Sequence, residues 1–220
     1  MARPGLTVPG VTFESSDISA PANPVPEGDW LASPAADKGQ TCQNCHMPGG
    51  DHRMRGLHDR DFVRDALRFE TDWLPGTNGD GQLRVSLHNI GAGHSLPTYS
   101  TGALHVKIFL SDAHDGVIEN SLQSRAVQRR LAVDEQSERF DTRIPAGGVW
   151  HFEGGVEISP ETRFLNILVK VDPDHFYRRF FALLKPPTAG ARALLEQARG
   201  RISESPYILF AHQIRFTEKD

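Results

Sequence analysis

The chain has 220 residues, of which 38% are apolar, 24% charged and 8% aromatic. Disordered chains are poorer in apolar residues, and no stretch approaches the roughly 20 apolar residues of a membrane-spanning helix. The 24 basic and 28 acidic side chains give a formal net charge of -4. This balance disfavours a broad surface for nucleic acid or anionic lipid. The composition therefore predicts a folded, soluble protein with no membrane-spanning segment and no nucleic-acid partner.

The N-terminal region, residues 1–27, contains five prolines with serine, glycine and alanine between them. This composition predicts an extended arm or a linker. Residues 1–20 contain a single arginine and no apolar run, so they do not predict a secretory signal peptide. We expect that an export signal has been removed or that the chain is part of a longer product.

A short segment with helical signals follows, over residues 28–75. A turn of helix is predicted over 29–33. Residues 59–69 begin with an acidic side chain, as helix N-termini often do. Within them Phe62, Val63 and Ala66 share one face, which predicts an amphipathic helix over 59–69.

Period-two alternation begins after a turn signal at 77–81 and is typical of strands with one buried face. Five segments show this alternation: 83–87, 104–110, 150–158, 165–171 and 208–216. Residues 127–133 are a weaker candidate, and helices are predicted over 173–184 and 189–199. The prediction is an α+β, mainly β protein. It has an antiparallel β-sandwich-like domain over 80–220 with two inserted helices, and a small helical or loop segment at its N-terminal side.

The two cysteines of the chain, Cys42 and Cys45, stand in a Cys-x-x-Cys-His motif. This is the attachment sequence of a c-type haem. Two thiols on one turn can reach the two vinyl-derived carbons of a porphyrin, and the adjacent histidine then lies under the iron. The motif predicts one covalently attached haem c, with Cys42 and Cys45 as thioether anchors and His46 as the proximal iron ligand.

Two other uses of the thiols stay open. A redox dithiol is expected beside a βαβ pattern, which does not surround Cys42. Zinc would take Cys42, Cys45, His52 and His58, which are separated by two, six and five residues. The central gap is shorter than the about 12 residues of a zinc finger, although short zinc knuckles exist.

The sixth iron position has two candidate ligands. His94 lies in the loop 89–98, whose glycines permit close approach of the backbone to a flat ligand. His58 stands at the start of the predicted helix, where Asp59 or Asp61 could accept its second N–H. Both histidines remain candidates for the distal ligand.

These residues resemble those of bacterial multihaem c-type cytochromes. The resemblance is carried by residues 30–33, the Cys-x-x-Cys-His-Met-Pro site within 39–48, His58, and the Gly-Ala-Gly-His-x-x-Pro-Thr loop within 89–98. It implies a periplasmic or extracellular electron carrier with bis-histidine ligation, His46 on one side of the iron and His58 or His94 on the other. Members of the family carry further haem motifs upstream, whereas this chain has one. A neighbouring haem has been lost, or it lies on another subunit.

Three hypotheses of function follow. The first is a monohaem electron-transfer protein with a low-spin, bis-histidine haem, which acts with other cytochromes or redox proteins in a complex or oligomer. The second is a haem enzyme with an open sixth position that acts on peroxide or nitrite, with Arg53, Arg55 and Arg60 stabilising an anion. The third is an assembly module of a multihaem complex, in which the arm over 1–27 lies across a neighbour. Electron transfer, without enzymatic activity, is the favoured hypothesis.

Overall fold

The computed structural model describes residues 26–76, 80–131 and 138–216 of the chain. The helices of this part are α1 (Pro26–Leu31), α2 (Pro34–Asp37), α3 (Cys42–His46), α4 (Arg60–Ala66), α5 (His175–Leu183) and α6 (Ala189–Glu204), with a 3-10 turn at Pro48–Gly50. The strands are β1 (Leu67–Pro75), β2 (Asp80–Asn89), β3 (Ala103–Ser111), β4 (Gln123–Val127), β5 (Arg129–Leu131), β6 (Glu138–Asp141), β7 (Val149–Glu157), β8 (Phe164–Asp172) and β9 (Tyr207–Arg215). Residues 1–25 of the predicted arm, 77–79 of the predicted turn and 132–133 of the weaker strand lie outside the described residues.

The strands form two main sheets and a small ribbon. One sheet has the order β1-β2-β7 and the other the order β4-β3-β8-β9, while β5 pairs with β6. Every paired strand runs antiparallel to its neighbour. The prediction of an α+β, mainly β fold built from antiparallel strands is therefore confirmed.

One hydrophobic core lies between the two main sheets. Alternate residues of β2 and β3 are buried in it, which is the period-two pattern expected of strands with one buried face. In these two strands the buried large apolar residues of the pattern are Leu83, Val85, Leu87, Leu104, Val106, Ile108 and Leu110. Aromatic side chains join the sheets, since the rings of Phe69 in β1 and Phe210 in β9 stack with centroids 5.3 Å apart. The two sheets thus form a β-sandwich.

The structure corrects one helix prediction and confirms two others. The helix predicted over 59–69 ends at Ala66, and Leu67 already begins β1. Residues 67–75 also alternate with period two, and their pairing with β2 overrides the helical pattern of the last three residues. The two helices predicted after β8 are present as α5 and α6. No helix in the described parts of the chain is long and apolar enough to cross a membrane.

Replacement of Leu87 by alanine should destabilise the sandwich strongly. Leu87 lies in the central strand of its sheet and is 0% exposed. Its truncation removes buried apolar surface and leaves a cavity, so we expect the free energy of unfolding to fall by about 2–5 kcal/mol. Urea denaturation measures the change. The matched control is Leu74→Ala on the neighbouring strand, where the side chain is 68% exposed and the expected change is within about 0.5 kcal/mol. Equal effects of the two variants would contradict this assignment of the core.

Candidate functional site

Helix α3 presents both cysteines and His46 within little more than one turn. Its N-terminus is closed by a capping box, in which the Asn44 N–H donates to Thr41 Oγ1 at 3.4 Å and the Thr41 N–H donates to Asn44 Oδ1 at 2.8 Å. Residues three and four positions apart lie on one side of a helix. Cys42, which is exposed, and Cys45, which is partly exposed, are both free thiols. The helix therefore offers two accessible thiols beside an imidazole.

The imidazole of His46 is held by the backbone of Arg55. His46 Nδ1 lies 2.6 Å from the Arg55 carbonyl oxygen, and the Arg55 N–H donates to the His46 carbonyl oxygen at 3.0 Å. A carbonyl oxygen can only accept, so Nδ1 carries the hydrogen and Nε2 keeps its lone pair. The ring of Phe62 contacts the imidazole edge-on, with centroids 5.1 Å apart. These contacts fix both the tautomer and the orientation of His46.

The loop that carries His94 is braced by the side chain of Asn89. This residue is 1% exposed at the end of β2. Its amide nitrogen donates to the carbonyl oxygens of His94 at 2.9 Å and Ile144 at 3.1 Å, and its amide oxygen accepts from the Ala92 N–H at 3.0 Å. Both N–H groups and the oxygen of the amide therefore hold the loop to the sandwich.

The same loop packs against the helices at the start of the described chain. The Ser95 N–H donates to the Asp29 carboxylate at 3.3 Å. At Gly93, an added Cβ would lie 2.8 Å from the Ala35 methyl carbon and 3.2 Å from Trp30 Cδ1. Only glycine permits this close approach without a shift of the neighbouring atoms. The loop and the segment that carries the haem motif are thus in direct contact at Gly93.

His46 and His94 face each other across the site. Their ring centroids are 5.9 Å apart and their planes are inclined by only 11°. His94 Nδ1 lies 3.0 Å from the Ser95 carbonyl oxygen, which leaves the Nε2 lone pair of this ring free as well. Burial, opposed by the hydrogen bond to Ser95, lowers the pKa of His94 below its ordinary value. The neutral imidazole is the form that binds a metal.

The separation of the two rings suits one transition-metal ion. Two imidazoles that bind the same ion from opposite sides, with metal–nitrogen bonds of about 2 Å, have ring centres about 6 Å apart. The observed 5.9 Å between His46 and His94 agrees with this value. The structure therefore brings the imidazoles of His46 and His94 together in one place.

His58, the other candidate for the distal ligand, lies in different surroundings. Its side chain is 67% exposed, and its Nε2 lies 3.0 Å from Asp174 Oδ2. The expected partner, Asp59, instead caps α4 through the Phe62 N–H and pairs with Arg55 at 2.6 Å. The sequence could not reveal Asp174 as the partner, because 116 positions separate it from His58.

The zinc alternative and the arginines of the enzyme hypothesis can also be compared with the structure. Among the described residues, one group of three or more His, Cys, Asp or Glu side chains has metal-binding separations, and it does not contain Cys42, Cys45, His52 or His58. Arg53 pairs with Asp51 at 2.7 Å, and Arg55 pairs with Asp59. The four zinc candidates are therefore not gathered, and two of the three arginines are engaged by carboxylates.

Comparison with known proteins gives a match at the level of the fold. No protein-family model matches the chain, and no curated protein matches it. The structure of a penta-haem cytochrome c552 from Thermochromatium tepidum superposes on 86% of the chain with a TM-score of 0.59 and 18% sequence identity. An ApaA protein from Bordetella pertussis covers 48% of the chain with a TM-score of 0.25 and 10% identity, which is too low to support an argument. The chain spans 50% of the length of this cytochrome chain and shares its fold.

Removal of the Asn89 amide should loosen the His94 loop. In Asn89→Ala, two carbonyl oxygens and one N–H each lose a hydrogen-bond partner, so we expect a loss of about 1–3 kcal/mol in the free energy of unfolding. Hydrogen exchange should accelerate at the amide of residue 92, which donates to Asn89. Gln82→Ala is the control, since Gln82 is exposed on the same strand. Unchanged exchange in Asn89→Ala would show that the amide does not brace the loop.

Acidification should destabilise the chain without bound haem partly through His94. The lowered pKa means that the folded state binds fewer protons than the unfolded state, so the free energy of unfolding falls as the pH decreases below about 6.5. His94→Gln should lose less stability between pH 7 and pH 5, as measured by chemical denaturation at each pH. Gln82→Ala should keep the wild-type loss. If His94→Gln followed the wild-type profile, His94 would not contribute to the pH dependence.

Proposed function

We propose that this chain is a monohaem c-type cytochrome that carries electrons to or from partner redox proteins. One haem c is attached through Cys42 and Cys45. The proposal is supported by the motif, by the free thiols on a capped helix and by a fold shared with a penta-haem cytochrome. Residues 28–75 form the haem-binding segment of this proposal, and residues 80–220 form the sandwich domain. Strand β1, at the end of the segment, belongs to one sheet of the sandwich.

The axial ligands in this proposal are His46 and His94. The observation that carries the assignment is the opposition of their rings at 5.9 Å. In both residues Nδ1 lies at hydrogen-bond distance from a backbone carbonyl oxygen, and in His94 also from Thr98 Oγ1, so Nε2 would be the nitrogen that holds the iron, with its basicity raised by these bonds. His58 has no comparable support, because its Nε2 is engaged by Asp174.

Haem iron supplies a one-electron redox couple when it is bound. The residues of the chain hold the two imidazoles and exclude other ligands. The Arg55 carbonyl oxygen orients His46, and Asn89 fixes the backbone of His94. Two imidazole ligands favour a lower potential than a histidine and methionine pair. If His94 holds the iron together with His46, peroxide or nitrite would have no open coordination position, and electron transfer would be favoured over the enzyme hypothesis.

Partners and location follow from the same proposal. Cys42 is exposed, so a haem fastened there has an edge at the protein surface, where electrons can pass to another cytochrome or redox protein. The matching part of the penta-haem cytochrome is 50% of that chain. By analogy with it, we propose that this chain acts beside other haems in a complex or oligomer. A periplasmic or extracellular location is proposed from the resemblance to bacterial multihaem cytochromes.

Absorption spectra and intact mass test the proposal. Protein matured in a host that attaches haem c should gain the mass of one haem and show low-spin bands with and without dithionite. His94→Ala should become high-spin and bind carbon monoxide or cyanide, because it opens the sixth position. His58→Ala is the matched control and should keep the low-spin spectrum. A mass without haem would overturn the function. A spectral change in His58→Ala but not in His94→Ala would overturn the ligand assignment alone.

A further inference from the structure

We propose that His105, Asp172 and His175 form a second metal site, which binds a zinc-class divalent ion away from the haem motif. The three side chains come from β3, from the end of β8 and from the first residue of α5. Their ligand atoms all lie within 4.8 Å of one another. The proposal does not depend on the presence of haem.

Strand register explains why these residues meet. Ala103 of β3 is paired with Asp172 of β8, and His105 is two residues further along the same strand. Residues two apart on a strand share a face of the sheet, so His105 is a diagonal neighbour of Asp172. The intervening Leu104 is buried in the core on the opposite face. His175 is brought to the same place because α5 begins three residues after Asp172.

The distances require little adjustment to bind an ion. Ligand atoms on a tetrahedral zinc ion, with bonds of about 2.0–2.2 Å, are about 3.3–3.6 Å apart. His175 Nδ1 and Asp172 Oδ2 are 3.6 Å apart. The rings of His105 and His175 have centroids 5.0 Å apart at an angle of 55°. The ligand atoms of the three side chains lie within 4.8 Å of one another, so the side chains would draw together around a bound ion.

Charge around the cluster selects the kind of metal. Arg178 pairs with both oxygens of Asp172 at 2.9 and 3.1 Å, and Lys107 and Lys170 lie close enough to act on His105. These cations weaken the binding of any divalent ion, and a single carboxylate is a poor ligand set for calcium or magnesium, which bind through several oxygen ligands. Imidazole nitrogen suits zinc and its neighbours in the transition series.

Arg178 gives the proposal a specific test. A carboxylate has about four lone-pair positions, and the guanidinium uses one on each oxygen. A metal ion on Asp172 must share the carboxylate with Arg178 or displace it. Removal of the guanidinium should therefore strengthen metal binding, whereas a cluster that serves only as an ion pair gains nothing from the change.

Zinc binding to the full chain is the experiment. Equilibrium dialysis against zinc, with competition by a chromophoric chelator, gives stoichiometry and affinity for the wild type and each variant. We expect His105→Gln and His175→Gln to lose one bound equivalent or to bind it at least about tenfold more weakly, because even residues that only support a metal ligand are worth about 10- to 100-fold. Arg178→Gln should bind it more tightly. Magnesium should not compete.

His114→Gln is the matched control, because His114 lies in the exposed turn after β3. It should keep the wild-type stoichiometry. Near-ultraviolet circular dichroism checks the folding of each variant, and His175→Gln alone decides if His105→Gln does not fold. Wild-type stoichiometry and affinity in the folded ligand variants would overturn the proposal. A wild-type chain that does not bind this one equivalent of zinc would also overturn the proposal. Each comparison is between chains that share the haem motif, so the result is separate from that of the haem experiment.

Discussion

The buried amide of Asn89 is the interaction on which the candidate site depends. It is the last residue of β2 and is 1% exposed, and it joins the His94 loop to the Ile144 backbone through two hydrogen bonds, of which the one to Ile144 is buried. A buried amide without partners costs about 1–3 kcal/mol, so the loop and the amide stabilise each other. The central strand of one sheet therefore sets the position of a histidine that lies outside the sheet.

The other half of the site depends on packing rather than on its own helix. Helix α3 has five residues, and isolated helices shorter than about 12 residues are marginal in water. The capping box helps it to form, and the reciprocal hydrogen bonds between His46 and Arg55 keep its last residue in place. The edge of Phe62 then closes one side of the imidazole. Neighbouring segments thus supply the rigidity that the helix lacks.

Much of the fold could be predicted from the sequence, because period-two alternation records which strand faces are buried. The boundary at Ala66 could not, since residues 67–69 fit a helical face as well as a strand, and their pairing with β2 decides between the two. The motif indicated Cys42, Cys45 and His46, but the sequence could only put His94 first as the candidate distal ligand and keep His58 as the alternative. In the structure the two histidines differ because His58 is bonded to Asp174, which is 116 positions away along the chain. Long-range contacts of this kind have no local signal in the sequence. The same reason hid the cluster at His105.

The haem-motif segment is fastened to the sandwich at two separate places. At one end, Ser95 binds Asp29 of α1. At the other, Tyr207 of β9 donates to the Leu57 carbonyl oxygen at 2.7 Å, beside the pair of His58 and Asp174. A segment held at both ends cannot pivot about either contact, so its helix keeps its distance from the His94 loop. The bond of His58 to Asp174 also ties the segment to the residue before α5. The contacts to the sandwich therefore hold the two imidazoles, His46 and His94, in a fixed arrangement relative to each other.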